Sequence, residues 1–271
     1  MLMKDQLDRP MVLDETVDPK EIAKFTALAE EWWKPNGKFR TVHEFNALRR
    51  DVLVAQIAQH FGRSVDDPKP LAGLSILDVG CGAGLLAEPL AALGATVVGI
   101  DATARNIEIA RWHAAQSGID IDYRHCLTGA VVDSSERFDV VLNMEVIEHV
   151  DAPRQLMAEC CALVAPGGLF VLATLNRTIK SFVIAIVGAE YVLGWLPRGT
   201  HDWRRFITPV EVEEMIAAHG FRGTERVGAA YSLLQRRWRQ TGDDSVNYIM
   251  MATRPAQGEA PQPHEEGRAD V

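Results

Sequence analysis

Three alternating glycines, Gly80, Gly82 and Gly84, directly follow the apolar run Ser75–Val79, and a carboxylate, Asp101, closes the next apolar run, Ala95–Ile100. A strand, a glycine turn, a helix and a second strand ending in an acid make half of a nucleoside-binding fold. Glycines let the backbone approach a nucleoside with no side chain in the way, and Asp101 would accept hydrogen bonds from both ribose hydroxyls. A second chemistry-bearing group, Glu145, Glu148 and His149, follows the apolar run Phe138–Met144. Its i, i+3, i+4 spacing places all three on one face of a helical turn, beyond a strand's carboxyl end, where ligands of such sheets sit. The histidine can take a proton from a substrate hydroxyl. Alternatively the trio can hold a hard divalent ion such as magnesium, although that ion prefers oxygen ligands. In a third reading it is a solvated helix start, its acids opposing the helix dipole and His149 packed locally.

The elements that must position these residues alternate between strand and helix. Apolar runs predict seven strands: Ser75–Val79, Thr96–Asp101, Ile121–Cys126, Phe138–Met144, Leu169–Thr174, Phe221–Val227 and Val246–Thr253. Helical periodicity fills Leu85–Leu93, Ala104–Ser117, Pro153–Leu163 and Pro209–Ala218, with helix starts at Asp151-Ala152-Pro153 and Thr208-Pro209. Pro89 removes a backbone donor inside the first of these, which predicts a kink or a late start. Such alternation means a mostly parallel sheet with helices on both faces, a Rossmann-like α/β fold. Ahead of it, residues 17–62 read as a helical N-terminal extension, with Phe25, Leu28, Trp32 and Trp33, then Val52, Leu53, Ile57 and Phe61, at helical spacing. Residues 1–16 are expected to be a flexible N-terminus, 71–253 the main domain with a lid at 177–207, and 254–271 a disordered acidic tail.

Bulk properties narrow the function classes. A chain of 271 residues with 47% hydrophobic content can bury a substantial core. A net charge of -9 argues against general nucleic-acid binding. The four cysteines, Cys81, Cys126, Cys160 and Cys161, show neither metal spacing nor a disulfide framework, which fits reduced thiols in the cytoplasm. Lys4, Asp5, Asp8 and Arg9 stand where an export signal needs an apolar stretch.

The glycine spacing selects the ligand. Dinucleotide binders place a glycine three residues after the second one, and here that position is Leu85. Gly80-x-Gly82-x-Gly84 instead resembles the first motif of the class I S-adenosylmethionine-dependent methyltransferases. Further segments are Ile22-Ala23-Lys24-Phe25, Trp32-Trp33, Asn46-Ala47-Leu48-Arg49, Met144-Glu145-Val146-Ile147-Glu148-His149, whose Glu-x-x-Glu-His block many methyltransferases share, and the more discriminating Thr174-Leu175-Asn176-Arg177. With Gly188-Ala189-Glu190-Tyr191 and Gly199-Thr200-His201-Asp202-Trp203, they resemble the ubiquinone-biosynthesis O-methyltransferase family, from about Val17 to Thr253.

That resemblance implies methylation of ring hydroxyls of polyprenylated phenols at two steps, 2-polyprenyl-6-hydroxyphenol and 3-demethylubiquinol, with S-adenosylmethionine as co-substrate. Matching positions imply cofactor contacts through Arg49, Gly80, Asp101 and Met144, with Gly82 of the same glycine turn beside them; spacing and position make His149 and Glu145 the catalytic candidates and Glu145, Glu148 and His149 the metal candidates. Arg49 would pair its planar fork with the methionine carboxylate, and Met144 would lie against the adenine or the sulfur-bearing chain. A surface ion pair and a core methionine are the bland alternatives for these two. Many methyltransferases carry an acid after the third strand for the adenine amino group, whereas this chain reads Cys126-Leu127-Thr128-Gly129. His43 and His201 are further candidates for the pocket.

Between Ser181 and Pro197 the chain reads Phe182-Val183-Ile184-Ala185-Ile186-Val187, then Gly188-Ala189-Glu190, then Tyr191-Val192-Leu193-Gly194-Trp195-Leu196. Glu190 and the short length exclude a spanning helix. Lys180, Arg198, Arg204 and Arg205 flank it, and apolar residues beside cations suit a surface that dips into a lipid interface. A helical lid covering the acceptor pocket is the alternative. Expected partners are thus the polyprenyl substrate, the inner face of the cytoplasmic membrane and other enzymes of ubiquinone synthesis.

Overall fold

The computed structural model describes residues 16, 18–34, 40–186, 202–232, 235 and 237–257. Its strands are β1 (Ser75–Val79), β2 (Thr96–Asp101), β3 (Asp122–His125), β4 (Phe138–Met144), β5 (Val164–Leu175), β6 (Arg222–Ser232), β7 (Arg237–Thr241) and β8 (Asn247–Thr253). They form one sheet in the order β3-β2-β1-β4-β5-β8-β6-β7. The first five run parallel, and β8 enters antiparallel between β5 and β6. The sheet thus has eight strands among the described residues rather than seven.

Successive residues of the central strands feed opposite sides of the sheet, as the two-residue side-chain period requires. Ile76, Val97, Val140 and Val171 join one buried cluster, and their neighbours Leu77, Val98, Val141 and Phe170 join the other. This explains why these strands read as unbroken apolar runs. Helices α2 (Arg40–His60), α3 (Ala87–Ala92) and α4 (Ala104–Ser117) cover the first side. On the second lie α5 (Thr128–Asp133), α6 (Pro153–Leu163) and α8 (Pro209–Ala217). The N-terminal α1 (Pro19–Leu28) and a one-turn α7 (Ile179–Ser181) complete the set.

Local chemistry sets several of these boundaries. Helix α3 starts late, at Ala87, so Pro89 falls in its first turn, where a backbone N–H has no intrahelical partner to lose. Thr208 and Glu211 form a reciprocal capping box that starts α8, and Gly118 ends α4 in the left-handed conformation. Strand β7 has the sequence Arg-Trp-Arg-Gln-Thr, mostly exposed, and carries no apolar alternation to betray it. The β6–β7 hairpin packs on α2 by stacking Trp238 on Phe45, with ring centroids 4.4 Å apart.

Two residues near the borders of the described part are held in place. Thr16 is buried, and its carbonyl accepts a hydrogen bond from Asp151 N. Arg254 donates its backbone N–H to Gly168 O and its guanidinium to Val164 O. Most of the expected flexible start, most of the tail, and the segment 187–201 of the expected lid lie outside the described residues.

Beneath the glycine turn, Gly84 has φ +87°, and a Cβ there would overlap the Tyr123 hydroxyl. Gly84→Ala is therefore expected to lower the unfolding free energy by about 2–3 kcal/mol. Urea denaturation measures it, and a wild-type midpoint would contradict this packing.

Candidate functional site

The glycine turn, the carboxyl ends of β1, β2, β4 and β5, the N-terminal helices and the β6–β7 hairpin enclose a cavity of about 730 Å3. Its first wall is the turn itself. Gly80 N and Cys81 N both donate to Ile100 O, at 2.8 and 2.9 Å, which folds the turn back over the end of β2. Gly80 and Gly82 have φ +71° and +55°, and a Cβ on Gly80 would overlap the Val146 side chain. A Cβ on Gly82 would stand 3.2 Å from the Trp32 ring. Asp101 accepts from Gly82 N at 2.9 Å, Thr103 N at 2.7 Å and Asn106 Nδ2 at 3.2 Å. Its carboxylate is thereby fixed, and its oxygens keep acceptor capacity toward the cavity.

Asp78, at the penultimate position of β1, also lines the cavity and was not singled out in the sequence. Burial, and then the negative charge of Asp101, push its carboxyl up to about 7. Its signal was an acid inside a buried apolar strand, a rare placement unless a partner exists. At the end of β3 the wall consists of Cys126, Leu127 and a buried Thr128, so no carboxylate stands there, as the sequence indicated. Met144 closes the floor at the end of β4.

Arg49, on α2, is buried. It pairs with Glu145 at 2.6 Å, donates to Asn46 Oδ1 at 3.0 Å and lies 3.8 Å over the Phe45 ring. Burial draws its pKa down, opposed by the Glu145 and Glu148 carboxylates.

The expectation that Glu145, Glu148 and His149 share a helical face is corrected by the backbone. Glu145 takes φ +59°, outside any helix, and only a one-turn 3-10 helix, Ile147–His149, follows. The three side chains therefore do not share one face: Glu145 and Glu148 stay close together, and His149 turns away from them. Glu145 turns to Arg49, and Glu148 is buried, accepting from Thr174 Oγ1 at 2.8 Å. His149 Nδ1 lies 2.8 Å from Glu21 Oε2 on α1. Burial, and then the Glu145 charge, raise Glu148 far above the carboxylate range, which favours its neutral acid form. Among the described residues no group of three or more His, Cys, Asp or Glu side chains could hold a metal ion. The donor set expected for magnesium does not fit.

Glu21 is the residue that sequence reasoning missed most completely, since nothing local links it to His149. Burial raises its pKa, but hydrogen bonds with His149 and Lys24 outweigh that and hold the carboxyl at about 2. The pair fixes the imidazole with Nδ1 turned to the carboxylate. Phe25 packs edge-on against the ring at 5.3 Å. His43 hydrogen-bonds to Trp32 O at 2.7 Å and so braces the cavity wall, while His201 lies outside the described residues.

Comparison with known proteins agrees with this geometry. The methyltransferase domain family matches residues 49–226. The ubiquinone biosynthesis O-methyltransferase of Dinoroseobacter shibae is 51% identical over 243 residues, covering 89% of this chain and 98% of that protein. The protein of the same name from Roseobacter denitrificans is 52% identical over 242 residues, with the same coverage. The chain belongs to the ubiquinone biosynthesis O-methyltransferase family. As such it is an O-methyltransferase whose co-substrate is S-adenosylmethionine. The fold is also that of magnesium protoporphyrin IX methyltransferase from Synechocystis PCC 6803, at a TM-score of 0.58 and 15% identity, covering 91% of this chain and 100% of that one.

The charge pattern of this methyltransferase yields a pH test. In the free protein Asp78 has a raised pKa, so stability falls as pH rises from 3.8, its ordinary value, through about 7. A cationic group of the ligand set against Asp78 must displace that proton. Affinity for S-adenosylmethionine is accordingly expected to weaken by up to about tenfold per pH unit below the Asp78 pKa. Asp78→Asn should bind more weakly and without that slope; calorimetry across pH 5–8 measures both.

Proposed function

We propose that this enzyme methylates ring hydroxyls of polyprenylated phenols, namely 2-polyprenyl-6-hydroxyphenol and 3-demethylubiquinol. The observation that carries the reading is the juxtaposition, in one cavity, of a glycine–Asp101 nucleoside cradle and a Glu21-oriented histidine. The names of the relatives supply the substrate class.

The residues present fit the adenosyl cofactor. Asp101 would take the ribose hydroxyls, Gly80 and Gly82 would admit the backbone's close approach, and Met144 and Thr128 would flank the base. Arg49 would receive the methionine carboxylate, sharing its donors between that group and Glu145. When bound, S-adenosylmethionine supplies an activated methyl group that needs no covalent help from the protein. What the chain must do is hold an acceptor oxygen in line and relieve it of its proton. Positioning alone can remove about 7 kcal/mol or more of such a barrier. A phenol ionises near a pKa of about 10, so a base beside it matters at neutral pH. His149 takes the proton, and Glu21 stabilises the resulting imidazolium through Nδ1. Glu145 acts by holding Arg49 in place.

The polyprenyl tail needs an exit to lipid. Ile179 is 81% exposed, and Phe182, Val183 and Ile184 stand exposed beside it. Val183 and Ile184 also line the cavity, so the apolar surface is continuous with the mouth. No helix among the described residues is long and apolar enough to cross a membrane. We infer that this patch rests on the inner face of the cytoplasmic membrane and receives substrate from it.

Mass spectrometry of labelled methyl transfer from S-adenosylmethionine to a short-tailed demethylubiquinol tests the reaction. His149→Ala is expected to cut turnover by about 10²–10⁴-fold with little change in cofactor affinity; turnover near wild type would remove the base role. In flotation, the protein is expected to rise with anionic vesicles and Ile179→Ser/Ile184→Ser to stay behind, whereas equal sedimentation of both would reject the membrane contact.

A further inference from the structure

Asn247 opens β8 at the acceptor side of the cavity, and the mechanism so far gives it no task. The residue is 7% exposed. Its Oδ1 is consumed by a buried hydrogen bond from Ala229 N at 2.8 Å, on neighbouring β6. That bond fixes the plane of the amide and leaves Nδ2, with two N–H donors. Among the described residues Nδ2 donates to no group. The side chain is more than nine-tenths buried and lines the cavity, with its oxygen bonded, so Nδ2 is a fixed donor that a ligand group can meet.

The register shows where that ligand group would lie. Asn247 pairs directly with Leu175 across β5 and β8, and Met144 pairs with Ala173 across β4 and β5. Side chains two residues apart on a strand share a face. Asn247 therefore stands on the same face as Met144, two strands over and one side-chain step farther toward the mouth. Leu175, Ala229, Ala230, Tyr231 and Trp238 line the cavity with it and are largely apolar. Of the cations on this wall, Arg49 is paired with Glu145 and Lys180 with Asp243. The carboxylates Glu21, Asp78 and Glu145 also line the cavity and would oppose an anion forming there.

We propose that Asn247 Nδ2 donates a hydrogen bond to the acceptor's ring oxygen and holds it as a phenolate. This rests on the phenolic acceptor proposed above. The donor is neutral and pre-aimed by Ala229, and in an apolar, water-poor wall such a bond is worth more than in solvent. It complements His149, which removes the proton while Asn247 supports the charge that remains.

Asn247→Asp keeps an oxygen for Ala229 N while it replaces the donor by a carboxylate oxygen and adds a negative charge, so a merely structural role of that oxygen would survive it. Asn247→Ala removes the donor without adding charge. Both are compared with wild type in the presence of S-adenosylhomocysteine, using 4-nitrocatechol, whose absorption reports ionisation of its ring hydroxyl. The pKa of the bound probe is expected to rise by about one unit or more in both variants. The kcat/KM for a short-tailed catechol acceptor should fall by about 10²-fold or more, with the Kd for S-adenosylmethionine unchanged within about twofold of wild type. Should the aspartate variant fail to fold, the alanine variant carries the same comparison. Wild-type probe titration and turnover in the folded variants overturn the Asn247 role while leaving the phenolic acceptor intact. A wild-type enzyme that neither binds the probe nor methylates any catechol overturns both.

Discussion

Everything in this site hangs from one carbonyl. Ile100 O receives the N–H groups of both Gly80 and Cys81, so the chain leaving β1 must double back across the end of β2. That reversal needs left-handed backbone at Gly80, Gly82 and Gly84, which L side chains resist. It also brings Gly82 N onto the Asp101 carboxylate, so the acid that faces the cavity is the one that ties the turn down. The same two hydrogen-bonding systems thus build the cradle and orient its recognition group. A ligand meets an arrangement already organised and owes little reorganisation cost.

Keeping acids in a buried cleft has electrostatic consequences that the fold handles in two ways. At the cofactor end, Asp78 and Asp101 are both raised, chiefly by burial, and no cation among the described residues pairs with them. That leaves a region receptive to a positively charged ligand, which an adenosyl sulfonium is. At the other end, Glu145 and Glu148 crowd together and Arg49 offsets the first, while burial pushes the second toward its neutral form. One charge of each sign and one neutral acid is a cheaper burial than two carboxylates. Glu148 then serves the packing between the 3-10 turn and Thr174 rather than the cavity.

The sheet was legible because its central strands are buried on both sides. Apolar runs locate β1, β2 and β4, and helical periodicity with a leading proline locates α6, each at its observed limits. Strand β7 was invisible for the opposite reason, being held by backbone pairing to β6 and by Trp238 rather than by an apolar pattern. Among the site residues, Arg49, Gly80, Gly82, Asp101 and Met144 line one cavity. Spacing misled at Glu145, Glu148 and His149, because i, i+3, i+4 describes one face only if a helix is present. A left-handed residue at Glu145 ends that premise. Glu21 and Asn247 could not be read locally at all, since their partners lie on elements that meet only through tertiary packing.

Those long-range partners explain why the helical extension belongs to the site rather than preceding it. Trp32 Nε1 donates to Asn106 Oδ1, and Trp33 Nε1 donates to Ala83 O, so adjacent indoles clamp the extension to α4 and to the glycine turn. Trp33 also stacks on His113, whose Nδ1 meets the buried Glu88 of α3. With the indoles fixed, α1 lies where Glu21 reaches His149 and Phe25 packs against its ring. The histidine's tautomer and orientation therefore depend on contacts made some distance away at the cofactor turn. One consequence is physical coupling: whatever loosens the contact of Trp32 with Gly82, where a Cβ would stand 3.2 Å from the indole, also loosens the element that orients His149. The glycine turn and His149 are two ends of one packed strut, and the Rossmann-like sheet by itself would supply only the first.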